Sequence, residues 1–319
     1  LEVYMDNAGL LKKEQLKARN EKIMQGWLHK WVSNTATNYG SKLLGEEENF
    51  AKLFMAHKGE PAIITGSGPS LEETIPHIKN FDGLVISTNS SMSLLLKNGI
   101  KPDYVHIFDG QYRPERIGNL PIDNIKLICA TFVLPEMVEF WKTKGKVYGF
   151  SAFDPEEVWF KKYMWYMYRD YVGIPTSGSV GPNAIRLAAY MGCNPIILTG
   201  LDQTFTGGKY RVDQYDYVDG KYVLKDFDHE EAINKQPISY HNGKQLWYIT
   251  GMMYRTAIVG IADELRDKGL SVVRCHNQND PNFYKVEGIL LKETKGIEVM
   301  NATMGGVWKN ELPRYDLVA

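Results

Sequence analysis

From Pro61 onward the chain alternates between two patterns, and this alternation limits the folds open to it more than any other feature. Short apolar runs rich in β-branched residues recur at 61–65 (PAIIT), 83–88 (GLVIST), 103–108 (DYVHIF), 125–130 (IKLICA), 146–150 (KVYGF), 195–200 (PIILTG) and 270–275 (LSVVRC). Segments with helical spacing lie between most of them, at 91–98, 135–143, 156–171, 182–192 and 245–268. Strands that alternate with helices imply βαβ units and a doubly wound, mainly parallel α/β sheet. Residues 8–57 carry helical spacing without strands, through Leu10, Leu11, Leu16, Ile23, Trp27, Leu28 and Trp31. The expected organisation is an N-terminal helical segment over 1–58 and one sheet domain over 59–319. Residues 206–244, rich in Tyr, Asp, Gly and Lys, break the rhythm, and a stretch of about 40 irregular residues inside a compact domain reads as a lid or insertion.

Composition narrows the partners. Thirty-seven basic residues against 38 acidic ones leave a net charge of -1 over 319 residues. That balance argues against a broad nucleic-acid footprint. No apolar run approaches the roughly 20 residues of a membrane-spanning helix. The three cysteines, Cys129, Cys193 and Cys275, sit in or beside apolar segments without metal-ligand spacing. They are expected to be buried, reduced thiols of a cytoplasmic protein.

In an open parallel sheet, ligands sit beyond the carboxyl ends of the strands, so the turns there are the candidate site. After the first strand comes Gly66-Ser67-Gly68-Pro69-Ser70. Two glycines permit close backbone approach, Pro69 suits a helix start, and the helix N-terminus offers N–H groups to an anion. The turn lacks the Lys of a Walker loop and the third Gly of a dinucleotide fingerprint. The next two strands end at Asn89 and Asp109, suited to a base or ribose. A second hydroxyl-rich cradle, Thr176-Ser177-Gly178-Ser179, precedes the helical pattern at 182–192, and the strand after it ends at Gly200 and Asp202. A Gly-Gly segment bearing Tyr210 follows.

Three stretches in this order, "GSGPSL", "TSGSVGPNAIRLAAYMGCNPIILTGLD" and "NATMGGV" (301–307), resemble the DUF115 group. That group holds the bacterial motility accessory factors, flagellin glycosyltransferases, and the 6-hydroxymethylpterin diphosphokinase MptE-like proteins. More distantly, the order is similar to that of the family 42 sialyltransferases. The resemblance spans roughly residues 60–310 and implies a Rossmann-like, sialyltransferase-like fold. It further implies that Gly66, Ser67, Gly68, Pro69, Ser70, Asn89, Asp109, Thr176, Ser177, Gly178, Ser179, Gly200 and Asp202 bind the nucleotide. By the same resemblance Tyr210 steadies the leaving phosphate, while Thr204 and Phe205 stand where the sialyltransferases carry a second tyrosine. His241, or His229 in its stead, falls near the place of the histidine general base, and a histidine can accept a hydroxyl proton near neutrality.

The activity implied first is transfer of a CMP-activated nonulosonic sugar to a protein or glycan hydroxyl, flagellin being one possible acceptor, with no cofactor beyond the nucleotide-sugar donor. Two alternatives stay open. One is ATP-dependent pyrophosphoryl transfer to a hydroxymethylpterin, with Mg²⁺ on Asp109 and Asp202. The other is a nucleotide-binding protein without turnover; a homo-oligomer is possible under any of them. The aromatic segment 156–171 reads as a mostly buried helix or an oligomer contact.

Overall fold

The structure is a computed structural model that describes residues 13–153, 158–168, 171–175, 179–202, 209–235, 238–241, 244–248, 257–258, 260–262, 264–274 and 298–299. Its strands are, in chain order, β1 (Ala62–Thr65), β2 (Leu84–Thr88), β3 (Tyr104–Ile107), β4 (Lys126–Ala130), β5 (Val147–Phe153), β6 (Gly173–Pro175), β7 (Ile196–Thr199), β8 (Tyr215–Val218), β9 (Lys221–Leu224), β10 (Ile238–His241), β11 (Lys244–Tyr248), β12 (Val272–Arg274) and β13 (Glu298–Val299). The α-helices are α1 (Lys13–Gly40), α2 (Leu71–Ile78), α3 (Met92–Lys97), α4 (Pro135–Lys142), α5 (Val158–Met167), α6 (Val180–Tyr190) and α7 (His229–Asn234).

Nine strands form one parallel sheet in the order β13-β12-β7-β1-β2-β3-β4-β5-β6. The fold is the doubly wound, Rossmann-like α/β sheet expected. The chain winds outward from β1 to β6, then returns on the far side of β1 as β7. The sheet therefore changes direction between β1 and β7, the place where open parallel sheets bind their ligands.

Every residue of β1, β2, β3 and β7 is buried, as central strands covered on both faces must be. Alternation along the strands divides the apolar residues between two layers. Ile63, in register with Val85 and Ile197, packs with Leu71 and Ile75 of α2 and Leu94 and Leu95 of α3. Ile64, Ile86 and Leu198 face the other way, into the larger core with Ala184, Leu187 and Ala188 of α6.

The N-terminal segment docks on this domain beyond the carboxyl ends of β3 and β4. The amide of Asn38 donates to Thr131 O and Val133 O, both at 2.8 Å, and that of Asn34 to Gly110 O at 3.0 Å and Phe132 O at 2.9 Å. Loop carbonyls have no ladder partner, so two side-chain amides on α1 satisfy four of them. Trp31 stacks on Phe132 with centroids 4.8 Å apart.

Residues 244–248 are strand β11, antiparallel to β10, where a helix over 245–268 was expected. Among the described residues that follow, 257–258, 260–262 and 264–267 are helical. The sequence signal for β11 is Asn242-Gly243, a two-residue hairpin turn pair, between His241 and Lys244, which face each other in register. In the aromatic helix α5 two of the described side chains are exposed, which departs from a mostly buried helix and leaves the oligomer contact open. Trp165 is 60% and Tyr166 78% exposed, because an outer helix covers the sheet with one stripe only, while nearby Tyr168 is buried.

Candidate functional site

A cleft of about 470 Å³ opens at the change of direction between β1 and β7. Gly66, Ser67 and Gly68 line it from β1, Thr88 and Ser90 from the end of β2, Asp109 from the loop after β3, Gly200 to Asp202 from β7, Ser179 to Gly181 from the start of α6, and Tyr210 and Arg211 from the segment beyond. The strand-end turns singled out in the sequence converge here.

The turn after β1 and the end of β7 are interlocked. The Gly66 N–H donates to Thr199 O at 2.8 Å and the Gly68 N–H to Gly200 O at 2.6 Å. A Cβ on Gly66 would lie 2.2 Å from Gly200 O, and one on Gly68 2.6 Å from Asp202 Cγ, so only glycine allows this approach. Gly200 itself takes φ +63°.

Ser70 and Asp202 engage each other. The Asp202 carboxylate, 2% exposed, accepts the Ser70 N–H at 2.9 Å and the Ser70 hydroxyl in a very short hydrogen bond. It thereby occupies the N-terminus of α2, where the sequence placed a phosphate. With the amides of Gly66, Gly68 and Ser70 committed and Pro69 buried without one, Ser67 is the residue of this turn whose N–H makes no hydrogen bond among the described residues.

Among the described residues the start of α6 remains open. The Ser179 side chain makes no cap hydrogen bond, and the N–H groups of Val180 and Gly181 precede the first intrahelical donor, the Asn183 N–H, which donates to Ser179 O. Open N–H groups and the positive end of the helix dipole, beside a free hydroxyl, suit an anion. Thr176, Ser177 and Gly178 lie outside the described residues.

Asp109 is exposed at the rim, where its Oδ1 accepts the Gln111 N–H at 2.8 Å. Asn89 is not among the residues that line the cleft; its side chain hydrogen-bonds the buried Tyr112 hydroxyl, whose pKa burial pushes up. Asp109 and Asp202, the pair a divalent cation would use, both line the cleft. One carboxylate is committed to Ser70, and no group of three His, Cys, Asp or Glu suited to a metal occurs among the described residues.

The segment 209–215 crosses the carboxyl ends of β1 and β2 and is tied down along its length. Lys209 pairs with Glu72 at 3.1 Å, the Val212 N–H donates to Ser67 O at 2.8 Å, Gln214 to Ser90 O at 3.1 Å, and the Tyr215 N–H to Ser93 Oγ at 3.1 Å. These ties present Tyr210 and Arg211 to the cleft. Arg211 escaped the sequence reading because a single Arg in an irregular polar stretch carries no spacing signal. His229 holds this segment: its Nδ1 accepts the Tyr210 N–H at 3.3 Å and its Nε2 lies 3.7 Å from Asp213. The Nδ1 bond places it as a support for Tyr210. His241 ends β10, and its side chain lies outside the described residues.

The family model of the 6-hydroxymethylpterin diphosphokinase MptE-like proteins matches residues 33–208, more than half of the chain. The chain belongs to this family. No curated protein matches it. Among solved structures it is similar to the MAf glycosyltransferase of Magnetospirillum magneticum AMB-1, at 17% identity and a TM-score of 0.47 over 81% of this chain and 38% of that one. It is also similar to a mammalian sialyltransferase solved with Gal-β-1-3GalNAc-ortho-nitrophenol, at 10% identity and a TM-score of 0.34 over 87% of this chain and 91% of that one. The chain thus spans well under half of the Magnetospirillum protein.

Proposed function

We propose that this MptE-like protein is a nucleotide-sugar-dependent glycosyltransferase that moves a CMP-activated nonulosonic sugar to a hydroxyl of a protein or glycan, flagellin being a candidate acceptor. The observation that supports it is the make-up of the cleft: an open helix N-terminus and small hydroxyls on one wall, Tyr210 on the other, and a buried carboxylate spent on holding two turns together. Such a cleft suits a single phosphate between a nucleoside and a departing sugar.

In the reaction so read, the acceptor hydroxyl attacks the anomeric carbon, the bond from that carbon to the phosphate oxygen breaks, and CMP leaves with the electron pair. Ser179 and the first amides of α6 hold the phosphate, and the Tyr210 hydroxyl donates to it, so charge is stabilised as it develops. His241 takes the acceptor proton. Ser70 and Asp202 act on this reading as positioning residues that fix the turn after β1 against β7.

The second reading, ATP-dependent pyrophosphoryl transfer to a hydroxymethylpterin with Mg²⁺, is favoured by the family match and by the exposed Asp109 carboxylate at the rim. A thermal-shift panel of CMP, CDP, UMP, GMP and ATP, with and without Mg²⁺, separates the two, because a ligand that binds only the folded state raises its melting temperature. Metal-independent stabilisation by CMP or CDP supports sugar transfer. Stabilisation by ATP only with Mg²⁺ would replace it with the second reading. No helix among the described residues is long and apolar enough to cross a membrane.

A further inference from the structure

The cleft contains a cation that the turns around it do not explain. Arg211 lies half-buried in the wall of the cleft that the start of α6 also lines, its guanidinium carbon 3.9 Å from the centroid of the Phe227 ring. Phe227 is itself fixed, edge-on to His229 at 5.0 Å and against Tyr210 at 6.0 Å. The backbone beside Arg211 is pinned by the Val212 N–H to Ser67 O, and Val212 is 1% exposed. A guanidinium on an aromatic face keeps its N–H fork free to point at an anion.

No carboxylate among the described residues pairs with Arg211. Its electrostatic neighbours are the phenols of Tyr210 and Tyr112 and a second cation, Arg116, which lies over the Tyr112 ring at 5.6 Å. Burial, the largest cause, and repulsion from Arg116 both work against its charge. A half-buried, unpaired guanidinium next to another cation is costly on its own, and an anion in the cleft would relieve that cost. The same cleft has little else to offer a phosphate from the β1 side, because the amides of Gly66, Gly68 and Ser70 are consumed and the Asp202 carboxylate brings a negative charge.

We propose that Arg211 binds the phosphate of the nucleotide and takes up the charge that phosphate gains on leaving, which rests on reading the cleft as a nucleotide-sugar site. A cation carried by the protein and seated on Phe227 would then supply, against the α6 N-terminus, the neutralisation that a single phosphate requires.

The test is calorimetric titration of the full chain with cytidine, CMP, UMP, GMP, ATP, inorganic phosphate and pyrophosphate, comparing wild type with Arg211→Met and Arg211→Lys. Arg211→Met should weaken the preferred phosphate-bearing ligand about 10- to 150-fold, the loss of one charge-assisted contact, while the matching nucleoside binds as before. Arg211→Lys keeps the charge without the fork and should fall about tenfold; it decides the matter if the methionine variant does not fold. Unchanged phosphate binding in the folded variants overturns the proposal, as does wild-type protein that binds no phosphate-bearing ligand. The base preference of the wild type tests the sugar-transfer reading separately: preference for ATP or GMP, with the loss still seen in Arg211→Met, would sink that reading and leave Arg211 as the phosphate residue.

Discussion

The bond between Ser70 and Asp202 is the feature of the site with the most measurable consequence. It joins the start of α2 to the end of β7, across 132 residues of chain, and both partners are all but excluded from water, at 1% and 2% exposure. Asp202→Ala would strand a buried N–H and a buried hydroxyl, each worth about 1–3 kcal/mol when unsatisfied. Release from burying a carboxylate offsets part of this, so a net loss of about 3 kcal/mol follows. Asp202→Asn keeps an acceptor for the Ser70 N–H and should cost about 1–2 kcal/mol, and Ser70→Ala a similar amount. Because the two side chains share one bond, the double variant should be less destabilised than the sum of the singles by about 1 kcal/mol. Urea denaturation followed by circular dichroism and tryptophan fluorescence measures all four proteins. Additivity within about 0.4 kcal/mol, or an Asp202→Asn protein as stable as wild type, would refute the argument. A stable Asp202→Asn protein that had lost a Mg²⁺ requirement would instead mark Asp202 as a metal ligand.

Two further outcomes follow from the same geometry. Gly66→Ala sets a methyl 2.2 Å from a backbone carbonyl and should cost more than about 3 kcal/mol, whereas Gly181→Ala meets only a Leu201 methyl at 2.6 Å and should cost about 1 kcal/mol; equal melting temperatures for the two would contradict this. His106, fully buried between β3 neighbours with its Nδ1 3.0 Å from Ile128 O, is pulled down to about 4 by desolvation. Between the unfolded value near 6.5 and 4 the unfolded chain takes up a proton that the folded one does not, so about 3 kcal/mol of stability present above pH 6.5 is lost as pH falls through this window. Denaturation midpoints at several pH values should show that slope in wild type and lose it in His106→Gln; identical slopes would show that His106 does not cause it.

The strands of the central sheet were legible because fully buried parallel strands are continuous apolar runs: Ala62-Ile63-Ile64 and Ile196-Ile197-Leu198 announce themselves. The site's location followed from the glycines after them. Two hairpins were hidden for a different reason. The β8–β9 and β10–β11 ribbons lie outside the main sheet, so their sequences lack a long buried run, and their signals were the dipeptides Asp219-Gly220 and Asn242-Gly243. Asp219 and Gly220 both take positive φ, at 48° and 78°, the conformation those residue types allow. What each polar residue at the rim touches was not legible at all. Ser70, Asn89 and Asp202 read as ligand contacts from their places in the turns, and nothing local announced that Ser70 and Asp202 bind each other or that Asn89 binds Tyr112. Such pairings depend on residues 23 to 132 positions apart, and no local pattern encodes them. Arg211 was invisible on the same ground, since its meaning comes from Phe227 beneath it and Ser67 beside it.

The central claim is that this cleft holds a CMP-activated sugar and releases CMP. The measurement that tests it most directly is CMP release from a CMP-activated nonulosonic acid by the purified protein in the presence of EDTA, with wild type beside Tyr210→Phe. The account predicts release above the uncatalysed rate that EDTA leaves intact and that falls at least tenfold in the variant. No release from any such donor, with AMP formed from ATP and 6-hydroxymethylpterin only when Mg²⁺ is present, would contradict it and assign the cleft to pyrophosphoryl transfer.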